Sequence, residues 1–124
     1  MHLNHYTVRT NDLEPLKEFF CDVAELSPGN RPPLRFPGYW LYDAKSGAPV
    51  IHLIGTEKTP GDDTGASDHI AFTGDGSRYE KIFSKVEGMG YPYEYRTQVG
   101  SGLRQIFITG PHGIVVELSF PPAA

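Results

Sequence analysis

The chain has 124 residues, of which 39% are hydrophobic and 21% charged, with a formal net charge of −4 and a sequence pI of about 5.7. That length suits one domain, and an acidic balance without a basic stripe excludes a nucleic-acid surface. No run approaches the roughly 18 apolar residues of a membrane span, the opening residues hold no apolar signal-peptide core, and the lone Cys21 cannot close an internal disulfide, so a cytoplasmic protein is expected.

Residues 3–9 alternate as a strand does, with Leu3, His5 and Thr7 on one face and Tyr6 and Val8 on the other. Asp12 is placed to cap a helix, and Leu13, Leu16, Phe20 and Val23 follow at helical spacing, with Pro15 tolerable in the first turn. Ser27-Pro28-Gly29-Asn30 is expected to end that helix, and Arg31-Pro32-Pro33 to run extended. The second or third strand of this half is predicted over 38–43 and its last over 49–54, with a turn at Lys45-Ser46-Gly47 between them. Residues 56–66, rich in Gly, Thr, Asp and Pro, read as a linker between a first module of about 1–55 and a second of about 67–120.

The second module opens with a strand over 68–73. Ser77-Arg78-Tyr79-Glu80 has the form of a capping box, and Tyr79, Ile82, Phe83 and Val86 make the apolar stripe of a core-facing helix that Gly88 and Gly90 should stop. Strands over 92–97, 103–109 and 114–120 complete it. Each half therefore reads β-α-β-β-β, an internal repeat. The fold class is α+β, with two tandem βαβββ modules forming a curved, barrel-like mixed sheet and the helices packed outside.

The repeat carries the chemistry. His5 and His69 lie 64 residues apart, and His52 and Glu117 lie 65 apart, as do two strand-like runs around them. A lone strand histidine is commonly a hydrogen-bonded core residue. Four ligand-type residues at two duplicated positions point instead to a divalent metal, and a glutamate inside Ile114-Val115-Val116-Glu117-Leu118 is costly to bury without a cation or a partner. Imidazole and carboxylate donors suit Zn, Ni, Co, Mn or Fe(II), and three or four protein ligands leave positions for a small-molecule substrate. Trp40, Tyr42, Arg104 and Phe107 on the middle strands are candidate pocket walls, with Arg104 the nearby cation for an anionic group. His2 and His112 are assigned solvent-exposed roles.

The motifs Leu-Asn-His-Tyr-Thr at the start, Asp-His-Ile-Ala-Phe in the middle, and Phe107-Ile108-Thr109-Gly110-Pro111-His112-Gly113 leading to Val116-Glu117-Leu118 resemble those of the vicinal oxygen chelate superfamily, the glyoxalase, bleomycin-resistance and extradiol-dioxygenase group. The resemblance covers about 3–120. It departs at the late turn, where Gly-Pro-His-Gly replaces the usual Asp-Pro-Asp/Glu-Gly. It implies a single-domain member with one divalent metal per site, ligands at His5, His69 and Glu117, and His52 where glyoxalase I enzymes carry a glutamate. It also implies a homodimer, with the site formed within one chain or shared between two.

The resemblance implies four chemistries. A lyase or isomerase of the glyoxalase I type needs four filled ligand positions, and since a metal-bound neutral imidazole is a poor base, Glu117 would be the catalytic proton carrier. An Fe(II) extradiol dioxygenase would use His5, His69 and Glu117 as its two-histidine, one-carboxylate set, with Tyr39 or Tyr42 bonding a catechol. A fosfomycin-inactivating thiol transferase fits His5-Tyr6-Thr7 but lacks a basic residue after Arg104. A metal-free drug-binding module is the alternative outside catalysis.

Overall fold

The computed structural model describes residues 1–124 and divides the chain into two compact units, Met1–Gly61 and Asp62–Ala124, the boundary falling inside the expected 56–66 linker. Each unit is a βαβββ module with its own four-stranded mixed sheet, which is the tandem arrangement expected from the repeat. No helix is long and apolar enough to cross a membrane.

In the first unit the chain runs β1 (Tyr6–Thr10), α1 (Leu13–Ala24), β2 (Ser27–Gly29), β3 (Gly38–Tyr42) and β4 (Pro49–Gly55). The sheet order is β1-β4-β3-β2, with β1 parallel to β4 and the other pairs antiparallel. The apolar stripe of α1 decides what it covers. Leu16, Phe19, Phe20 and Val23 are buried, and α1 lies against β3 and β4, whose Leu41, Ile51 and Leu53 are buried in turn. Each such side chain contributes about 1.5–3 kcal/mol when fully removed from water. Cys21, on the same helix, is half-buried.

Two local expectations change here. The helix stops at Ala24, because Glu25 takes the left-handed conformation at φ 56° and ψ 39°. Ser27–Gly29 is then free to pair antiparallel with β3 as a short edge strand, where the missing N–H of Pro28 is tolerated. Gly29 is needed there, since a Cβ would lie 2.6 Å from the Tyr42 ring. Asp12 occupies the N-cap position without a side-chain cap. Thr10 Oγ1 accepts from the Asp12 N–H at 3.0 Å instead.

In the second unit β5 (Ile70–Thr73) leads through a 3₁₀ turn at Gly76–Arg78 into α2 (Tyr79–Met89), then β6 (Tyr93–Thr97), β7 (Arg104–Thr109) and β8 (Val115–Phe120). The order β5-β8-β7-β6, with β5 parallel to β8, repeats the first sheet. Ile82 and Val86 are the buried positions of α2, and its aromatic residues pack edge-on: Tyr79 on Phe120 at 5.3 Å, Phe83 on Tyr95 at 4.9 Å. The expected capping box does not form. Ser77 lies in the 3₁₀ turn, two residues before the helix, and its N–H donates to the Asp75 carboxylate at 2.9 Å. Gly90, at φ 87°, ends α2, and Gly88 lies within it. His112 departs from its expected exposed role: it is half-buried in the 3₁₀ turn Pro111–Gly113, at φ 61°.

Candidate metal centre

Strand pairing sorts the candidate residues into faces. In the first sheet Thr7, His52, Trp40 and Gly29 form one rung across all four strands. Residues on one rung share a face, and this face is opposite to the one carrying Leu41, Ile51 and Leu53 beneath α1. In the second sheet the corresponding rung is Ala71, Glu117, Phe107 and Glu94. His52 thus answers to Glu117, and Trp40 to Phe107. His5 and His69 each stand immediately before the first strand of their unit. The helix faces are apolar because they are covered, so the uncovered faces are where polar ligand-type residues can sit at low cost.

In the first unit the rings of His5, His52 and Trp40 form a stack. His5 and His52 centroids are 3.9 Å apart, His52 and Trp40 centroids 4.1 Å apart, each pair at 10° between planes. His5 Nδ1 bonds the Asn4 side-chain oxygen at 2.6 Å. An amide oxygen only accepts, so Nδ1 is the donor in that bond. Nε2 of His52 is buried with no partner. Burial, then the neighbouring His5, and Arg31 after a smaller opposing effect of a Pro49 backbone bond, hold the His52 imidazole below its usual range, which favours the neutral, ligating form. Imidazole lone pairs lie in the ring plane. Two planes this near to parallel do not meet within a metal–nitrogen distance of about 2.0–2.1 Å, so one ring must turn before both can hold one ion. His5, exposed and outside the strand, is the ring free to do so.

In the second unit His69 Nε2 lies 3.1 Å from Glu117 Oε1, and His69 Nδ1 lies 2.7 Å from the Asp68 carboxylate. Asp68 accepts from Nδ1, as Asn4 does at the same place in the first unit. Nε2 then faces a carboxylate oxygen. A proton on Nε2, as in an imidazolium–carboxylate pair, or a cation between the two atoms satisfies both. Two ligands at right angles on one metal ion would be about 3.0 Å apart, so the pair also has the spacing of one edge of a coordination shell. The other oxygen of Glu117 is held: Gln105 Nε2 donates to Oε2 at 3.1 Å, and both side chains are buried, 5% and 7% exposed. Phe107 meets the edge of His69 at 5.7 Å.

The donor set is thus delivered as two pairs, one per unit, and no three His, Cys, Asp or Glu side chains are gathered as a ready metal cluster. Trp40 and Phe107 lie on the ligand faces. Tyr42 follows Trp40 by two residues, past a bulge, and donates to the Asn30 carbonyl at 2.6 Å. Tyr39 is turned to the helix face, where it bonds Glu14 and sits under the Lys17 ammonium at 5.0 Å. Arg104 is not brought to the ligand face. It shares the helix face with Ile106 and Ile108, lies 4.2 Å over the Tyr79 ring and donates to the carbonyls of Pro121 and Gly76 at 2.9 and 3.4 Å. Residues that sequence reading passed over are Asn4 and Asp68, each immediately before a duplicated histidine, and Gln105 and Arg96. The Asn-His and Asp-His dipeptides were visible as a repeat. Gln105 and Arg96 gave no signal, because only strand register brings them beside Glu117.

A family model described as the Glyoxalase/Bleomycin resistance protein/Dioxygenase superfamily matches residues 2–118. No curated protein matches the chain in sequence. Among solved structures, a variant of the fosfomycin resistance protein FosX from Listeria monocytogenes, in complex with Mn(II) and 1S,2S-dihydroxypropylphosphonic acid, is similar at TM-score 0.75 and 16% identity, over 97% of this chain and 92% of that one. A glyoxalase/dioxygenase from Nostoc punctiforme is similar at TM-score 0.79 and 13% identity, over 98% and 92%. Lactoylglutathione lyase from Agrobacterium tumefaciens is similar at 0.68 and 17%, over 96% and 92%.

Proposed function

The chain belongs to the Glyoxalase/Bleomycin resistance protein/Dioxygenase superfamily, and from that membership we propose that it is a metal-dependent lyase or isomerase of the glyoxalase I type, acting on a small substrate that chelates through adjacent oxygens. His5, His52, His69 and Glu117 would hold one divalent metal, which when bound supplies Lewis acidity to the chelated oxygens. The protein would act as a homodimer. The Mn(II) complex of the Listeria relative supports a divalent ion in such a fold.

One observation carries this reading: Asp68 accepts from His69 Nδ1 at 2.7 Å and so aims Nε2 at Glu117 Oε1, 3.1 Å away, the spacing of two ligands on one ion. The buried, partnerless Nε2 of His52 supports the same conclusion from the other unit. Within the site the residues have separate tasks. Gln105 orients Glu117, the proposed proton carrier, by donating to its Oε2. Asn4 and Asp68 hold the two exposed histidines in one tautomer, as partners of ligating histidines do. Trp40 and Phe107 wall the ligand faces and exclude water.

Metal analysis of protein purified without chelator, for the wild type and for His69→Ala, tests the proposal. About one divalent ion per site is expected in the wild type and a loss in the variant. A metal-free wild type would turn the reading toward a drug-binding module.

The stack of His5 on His52 favours a second reading. If His52 stays between His5 and Trp40 and His5 alone turns to the metal, the set is His5, His69 and Glu117. Three open positions then suit an Fe(II) extradiol dioxygenase, and catechol-dependent oxygen uptake is the measurement that separates it from the first.

A further inference from the structure

We propose that Arg96 makes this site selective for anionic acids, holding a second carboxylate or phosphate of a substrate whose adjacent oxygens chelate at His69 and Glu117. The inference rests on the metal reading and names the substrate class it leaves open.

Register puts Arg96 on the ligand face. The rung Thr73, Ser119, Gln105, Arg96 is two residues along each strand from the rung of Ala71, Glu117, Phe107 and Glu94. Its side chain reaches toward the site. The guanidinium lies 4.6 Å over the Phe107 ring, and Nε donates to Gln105 Oε1 at 3.3 Å. The same Gln105 amide donates to Glu117 at 3.1 Å. A single buried amide therefore separates the arginine from the candidate catalytic carboxylate, and it orients both.

What is left over on Arg96 is the part that recognises an anion. Nε and the ring face are engaged, while the two terminal nitrogens, with their four N–H donors, have no protein acceptor. Its charge takes no part in the ion pairs of Lys17 with Glu14 and of His69 with Asp68 and Glu117. A guanidinium presents a planar fork matched to carboxylate and phosphoryl oxygens. Phe107 holds that fork in place beside the chelating pair, so less side-chain freedom is lost when an anion binds. Arg104, the cation that sequence reading favoured, has its donors turned to two backbone carbonyls on the other face.

The test uses Mn(II)-loaded protein and three probes that share a 2-hydroxycarboxylate: lactate with nothing more, malate with a second carboxylate, and 3-phosphoglycerate with a phosphate. Binding is read by calorimetry, after Mn(II) affinity has been measured alone. Malate or 3-phosphoglycerate should bind the wild type at least about tenfold more tightly than lactate, the equivalent of one charge-assisted contact. The stronger of the two identifies the anion. Arg96→Gln should remove that preference, with Mn(II) affinity measured beside it, and Arg96→Lys should retain part of it. Arg104→Gln should leave the preference intact. A wild type that does not distinguish the three probes, or an Arg96→Gln variant that weakens all three equally, would overturn the inference and leave the metal reading standing. Failure of the wild type to take up Mn(II) or another divalent ion would remove both together.

Discussion

The His52 imidazole lies flat against the Trp40 indole, with centroids 4.1 Å apart and 10° between planes. Trp40 is the only tryptophan of the chain, so its emission reports on the surroundings of the stacked His52 ring. Zn(II) titration should change that emission in the wild type, and His52→Ala should abolish the response and weaken Zn(II) by more than about tenfold. If His52→Ala keeps wild-type affinity while His69→Ala loses it, His52 lies outside the ligand set and the dioxygenase reading is selected.

Gln105 supplies the one protein hydrogen bond to the buried Oε2 of Glu117. Gln105→Ala removes a donor and leaves a charged acceptor in a site that is 7% exposed. Leaving such a group unsatisfied costs about 1–3 kcal/mol. Urea unfolding of the metal-free protein should show a loss of that order. An unchanged midpoint would mean that water takes the place of the amide.

The Glu14 carboxylate is held below its usual range by the Lys17 ammonium first and the Tyr39 hydroxyl second. A carboxylate with a depressed folded pKa adds stability above its unfolded value, about 4.3, and loses it as pH falls through the folded value. The bond to Glu14 likewise raises Lys17 and Tyr39, so their share is present at neutral pH and lost as pH rises through their folded values. Glu14→Gln should therefore flatten the acid limb of a stability–pH curve and soften the alkaline limb. The group is fully exposed, so the effect should shrink in high salt. Identical curves for variant and wild type would show that the exposed triad adds nothing.

Phe19 and Phe83 occupy equivalent places in the repeat, yet Phe19 is wholly buried and Phe83 only half. Phe19→Ala should cost about 3–5 kcal/mol. Phe83→Ala should cost clearly less, because its ring already meets solvent beside Tyr93 and Tyr95. Equal losses in thermal or denaturant unfolding would contradict this difference.

The sequence by itself determined the modules, because their signals are local. Alternation placed the strands, the stripe Leu16, Phe20 and Val23 placed α1, and the spacing of His5, His52, His69 and Glu117 exposed the duplication. Alternation also put Glu117 and His52 on faces opposite the apolar residues, since that depends only on counting by two along a strand. Local competition was beyond its reach. Glu25 entering the left-handed region released Ser27–Gly29 to pair with β3, and Asp75 displaced the capping box by reaching the Ser77 N–H. Only the tertiary structure shows which arginine shares a face with Glu117. Sequence reading favoured Arg104 and passed over Arg96, but pairing across β6, β7 and β8 sets Arg96 beside Gln105 and turns Arg104 toward Tyr79. Register between strands depends on side chains distant in the chain, and a shift of one residue exchanges the two faces. That is why the face of each arginine could be known only once the strands had paired.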